Sequence, residues 1–67
     1  MEKIKNTLTE KLKTVSNDPD FILGVLSNAK DNEDRQSIID YIDLGVNVTY
    51  ENILLLSLKL GNERGTN

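Results

Sequence analysis

Apolar residues recur along this chain at the spacing of helices, and no convincing strand is read; Val46-Asn47-Val48 is a short extended link. Ile4, Leu8, Leu12 and Val15 fall at intervals of four, four and three, which predicts a first helix over about residues 2–15 with one narrow apolar stripe. Such a stripe buries little and must dock, either on the rest of the chain or on another molecule. Phe21, Ile22, Val25, Leu26 and Ala29 mark the inner face of a second helix, about 19–30. Ile38, Ile39, Tyr41 and Ile42 mark that of a third, about 33–44, with Gln36, Asp40 and Asp43 opposite them.

The fourth segment differs. From Tyr50 to Leu60 the sequence holds Ile53, Leu54, Leu55, Leu56, Leu58 and Leu60, and at 100° per residue these surround almost the whole helix. A helix apolar on all sides is expected to be central. Its Leu55 lies opposite Ile53 and has no partner of its own in so short a chain. The expected fold class is all-α, a small compact bundle of three core helices preceded by an N-terminal amphipathic helix. One domain spans residues 1–61, and 62–67, which carries no apolar side chain, reads as a flexible tail.

Local signals divide the helices. Asp18-Pro19 predicts an N-cap followed by proline at the first helical position, and Asp20 places negative charge where the helix dipole is positive. Asp31 or Asn32 caps the third helix, and Gly45 ends it in a left-handed C-terminal turn. Thr49 caps the fourth, and Gly61 is expected to stop it. Gly24 sits inside the second helix, where it costs about 1 kcal/mol against Ala, so close contact with a neighbouring helix is its expected compensation.

Composition then limits the chemistry. The chain has 67 residues with no Cys, no His and no Trp. Disulfides, Cys- and His-based metal sites and His general bases are therefore excluded. A domain this short is marginally stable unless something adds to its core, which makes self-association an expectation. The apolar run Ile53–Leu56 is far shorter than the ~20 residues a bilayer demands, and no signal peptide is visible, so a cytoplasmic location without membrane contact is expected.

Charge divides the chain into two parts. Lys3, Lys5, Lys11 and Lys13 against Glu2 and Glu10 give residues 1–16 a net +2, whereas the remainder carries −5, for a total of −3. A basic arm leads into an acidic body.

Motifs for catalysis and ligand binding are sparse. Calcium loops place oxygen ligands at alternate positions with Gly sixth; counted from Asp31, the fifth and sixth positions are Arg35 and Gln36. Ser16, Ser27, Ser37 and Ser57 lack a histidine to activate them, and no Gly-rich phosphate loop is present. Neither cofactor, metal nor catalytic residue is assigned, and the chain is not expected to be an enzyme.

The expected function is that of a small acidic protein-interaction module, an inhibitor, adaptor or regulator of the kind found among phage and mobile-element accessory proteins. It would bind another protein and itself. Ile4, Leu8, Leu12 and Leu55 are the candidate partner or dimer interface, with Asp40 and Asp43 as a charged partner surface. The alternative is a nucleic-acid-binding regulator, with the lysine-rich first helix on the backbone and the helix pair around Gly45 as a helix-turn-helix. That pair has Tyr41 where a small residue belongs and Glu51 where an apolar one belongs, and its second helix offers only Lys59 as a basic group, so nucleic acid is the weaker expectation.

Overall fold

A computed structural model describes residues 3–65 of the chain. They form four helices: α1 (Lys3–Lys13), α2 (Pro19–Asn28), α3 (Asn32–Leu44) and α4 (Tyr50–Gly65). Three of the local signals work as the sequence implies. The Asp18 carboxylate accepts from the Asp20 amide at 3.0 Å ahead of Pro19. Gly45 closes α3 at φ 73°, and the Thr49 hydroxyl accepts from the Asn52 amide at 3.1 Å. Asp31 occupies the N-cap position of α3, although its side chain makes no capping bond.

The α3–α4 turn has a second left-handed residue, Asn47 (φ 56°), a conformation that Asn tolerates better than most residues. Its carbonyl accepts from the Tyr41 hydroxyl at 2.6 Å and from the Asn52 amide group at 2.7 Å. Both flanking helices thus fix the turn.

Helix α1 packs chiefly on α3, and α2 chiefly on α4, with smaller α3–α4 and α1–α2 contacts. The core draws Leu8 and Leu12 from α1, Phe21 and Val25 from α2, Ala29 after it, Ile38 and Ile39 from α3, and Ile53 from α4. The radius of gyration is 10.8 Å, close to the roughly 11 Å of a closed globule of this length. Helix α1 is therefore part of the core rather than an appended arm.

Three expectations need correction. Gly61 does not stop α4, which continues to Gly65; a Cβ at Gly61 would lie 3.2 Å from Asn28 Oδ1 and 3.3 Å from its backbone oxygen. The glycine serves close helix packing instead of chain termination. Residues 62–65 of the expected flexible tail are consequently helical, whereas Thr66 and Asn67, like the Glu2 start of the first helix, lie outside the described residues. Helix α4 is not central either, since Leu55 and Leu58 are exposed.

Helix α2 ends at Asn28, two residues early, and its end is closed from a distance. Arg35 Nε of α3 donates to the Ala29 carbonyl at 2.6 Å, and its Nη2 reaches the Leu26 carbonyl at 3.4 Å. A cation on the last carbonyls of a helix is favourable for the dipole as well as for hydrogen bonding. No described helix is long and apolar enough to cross a membrane.

Candidate functional site

The outward face of α4 is set by its inward one. Thr49 fixes the start of the helix, and Ile53 and Ser57, both fully buried, point to the core. The Ser57 hydroxyl donates to the Leu54 carbonyl of its own helix at 2.8 Å, so it is satisfied in place. Small residues line the contact with α2. Asn28 sits on Gly61, and Leu54 covers Gly24, where a Cβ would be 4.0 Å from Leu54 Cδ2. Tyr50 stacks on Phe21 with ring centroids 4.6 Å apart. The order of these contacts means that α2 and α4 run side by side in the same sense.

A helix that is apolar all round must choose a face, and this one turns its smallest residues inward. Leu55 and Leu58 are left outside, while Leu54, Leu56 and Leu60 are half-buried against the core. Leu55 is 63% exposed and Leu58 46%, and on α2 Leu23 is 62% exposed beside Gly24. Leu44 and Val46 add exposed apolar surface at the α3–α4 turn. The large exposed apolar side chains among the described residues thus belong to α2, the end of α3, the turn and α4; α1 contributes none.

The candidate interface residues do not share one surface. Leu8 and Leu12 have no exposure at all and Ile4 is half-buried against the same core, whereas Leu55 faces outward. The narrow α1 stripe is consumed by the chain's own packing, because two adjacent turns of leucine meet Ile38 and Ile39 inside the bundle. Leu8 and Leu12 are buried within this chain, and Leu55 faces outward. The other outward residues of this face, Leu58 and Leu23, went unassigned in the sequence. Their signal was the small Ser57 and Gly61, which mark the side of α4 that packs closely.

The charged candidates are also engaged. Lys11 Nζ lies 2.7 Å from Asp43 Oδ1, joining α1 to α3, and Gln36 Nε2 donates to Asp40 at 2.9 Å. Lys13 pairs with Glu10 at 3.6 Å. Two of the four lysines in the basic arm are therefore spent within the chain, leaving Lys3 and Lys5 exposed on α1.

A half-open polar groove of about 290 Å³ lies where α2 ends, α3 begins and α4 passes, lined by Ser27, Asn28, Lys30, Asp31, Asp34 and Asn62 with Gly61. Asp34 is buried at its base, and no buried side-chain nitrogen or oxygen among the described residues lacks a partner. Asn28 Nδ2 is already donated to the Gly24 carbonyl at 2.9 Å. The lining presents a serine hydroxyl, two amides, two carboxylates and a lysine amine, all suited to hydrogen bonding. No family model, curated protein or solved structure matches this chain.

Proposed function

We propose that the chain is a small non-enzymatic protein-interaction module that docks through the outer face of the α2–α4 pair and associates with itself. The observation that carries this reading is the exposure of Leu55 and Leu58 on α4 and of Leu23 on α2, the helix packed beside it, whereas α1 has no large exposed apolar side chain among the described residues. Single exposed leucines are ordinary, but several on two adjacent helices of so small a domain are a feature of docking surfaces. A core of eight buried apolar residues leaves stability marginal, and association adds to it by mass action.

Sedimentation equilibrium across concentrations from about 1 µM to 1 mM, a span that covers weak to moderate self-affinity, tests the reading. A reversible dimer whose population falls on replacing Leu55 by a charged residue is expected. A strict monomer throughout, unchanged by that replacement, overturns the self-associating module.

A further inference from the structure

The outward surface of α4 carries a pattern that is complementary to itself. Glu51, Leu55 and Lys59 follow at intervals of four and are all exposed. That spacing forms a surface ridge running slantwise along a helix. Its order is negative, apolar, positive. Neither Glu51 nor Lys59 forms an ion pair with another described residue. Both side chains are exposed.

A two-fold rotation through Leu55 turns the ridge end for end. Each Glu51 then lies against Lys59 of the other copy, and Leu55 lies beside its own equivalent. A parallel arrangement would instead set Glu51 on Glu51 and Lys59 on Lys59, which is unfavourable at both ends. Two-fold interfaces bring the same patch of both subunits together and so demand this kind of self-complementarity. The ridge also disfavours partners of one charge sign. Glu51 and Lys59 are about 12 Å apart along the axis, at 1.5 Å per residue, so a basic surface drawn to one meets repulsion from the other. Leu58, one residue before Lys59 and one turn beyond Leu54, adds exposed apolar surface on the same helix.

We infer that a second copy of this chain docks antiparallel on α4, with Leu55 beside the two-fold axis and Glu51 of each copy against Lys59 of the other. The inference rests on the self-associating reading above and specifies its partner and register. Paired helices sit about 8–10 Å apart between axes, and each Cα lies about 2.3 Å from its own axis. Facing Cα atoms on the two-fold therefore approach to roughly 3.4–5.4 Å, which overlaps the ~4.4–6.8 Å that a disulfide spans.

The absence of cysteine from the chain makes the test clean. Full-length Leu55→Cys, oxidised with a glutathione buffer, is expected to form a covalent dimer faster than Lys5→Cys, whose site is exposed on α1. In sedimentation equilibrium, Glu51→Lys and Lys59→Glu should each raise the dimer dissociation constant about fivefold or more, as two attractive contacts become repulsive. The double charge swap should return it to within about twofold of the unmodified protein.

All these positions are exposed, so the thermal transition measured on dilute protein should remain cooperative and confirm that each variant folds. Crosslinking at Leu55 no faster than at Lys5, or a double swap no better than its parts, overturns the antiparallel register. If the unmodified protein still dimerises, that result leaves the self-association reading intact; a strict monomer overturns both.

Discussion

Helices α1 and α3 bring large apolar side chains and opposite charge together, whereas α2 and α4 combine a Phe21–Tyr50 stack with close packing at Gly61 and leave Leu23, Leu55 and Leu58 outside. Helix α1 carries four lysines against Glu10, and α3 carries Glu33, Asp34, Asp40 and Asp43 against Arg35. Their attraction is realised at Lys11–Asp43, and Leu8, Leu12, Ile38 and Ile39 lie buried beneath it. The α2–α4 pair carries fewer charges and gains closeness at Gly61, which Asn28 approaches directly. What separates the two pairs is the location of bulk. Leucine turned inward makes a self-sufficient half, and leucine displaced outward by small residues makes a surface able to dock.

The largest expected effect breaks or confirms that division directly. Leu12→Ala removes a fully buried side chain and should cost about 2–5 kcal/mol, enough to leave a marginal domain largely unfolded. Leu55→Ala removes a residue that is 63% exposed and should change the stability of dilute protein by no more than about 0.5 kcal/mol. Urea denaturation followed by far-ultraviolet circular dichroism measures both. Equal costs would mean that α1 is not in the core, or that Leu55 is.

The same contrast explains which parts of the fold were legible in the sequence. Caps depend on a few neighbouring residues, and Asp18-Pro19, Gly45 and Thr49 could be read where they stand. Four helices followed from periodicity in the same way. Gly61 could not be read locally, because a glycine that ends a helix and one that admits a neighbour look alike until the neighbour is known. Arg35 closes α2 from six residues beyond Ala29 and from another helix, a relation that no local pattern encodes.

Helix α4 shows a further limit. Apolar residues all around it left the inward direction undetermined, and the deciding residues were the small Ser57 and Gly61 rather than any leucine. Among the candidate surface residues Leu55 is exposed, as its place opposite Ile53 on the wheel implies, whereas Leu8 and Leu12 are buried, because a narrow stripe suffices to seat a helix against a small core.

A glycine exchange sharpens the α2–α4 side of the comparison with a smaller effect. At Gly24, an added Cβ meets only Leu54 Cδ2 at 4.0 Å, an ordinary contact, so Gly24→Ala should gain up to about 1 kcal/mol from helix propensity. At Gly61, the Cβ meets the Asn28 side chain and backbone oxygen at 3.2 and 3.3 Å. The backbone oxygen yields less readily than a side chain, so the propensity gain is offset and Gly61→Ala should destabilise by about 1 kcal/mol. Thermal unfolding of the two variants side by side reads the sign of each change. Stabilisation by both would show that α2 and α4 do not depend on glycine for their approach.

The smallest effect concerns the charge that distinguishes α1–α3. Lys11 and Asp43 are only 2.7 Å apart, yet their side chains are 34% and 54% exposed, so water and salt screen the attraction. Lys11→Gln should cost less than about 1 kcal/mol at low ionic strength. Asp43→Asn should do the same, and the double replacement should cost less than the sum of the two, because either one alone already abolishes the pair. Raising salt to about 1 M contracts the screening length to about 3 Å and should largely erase the difference from the unmodified protein. Persistence of the full cost at high salt would assign Lys11 a packing role, its aliphatic stem covering the apolar residues between the helices, and the charge complementarity of α1 and α3 would then contribute little to holding them together.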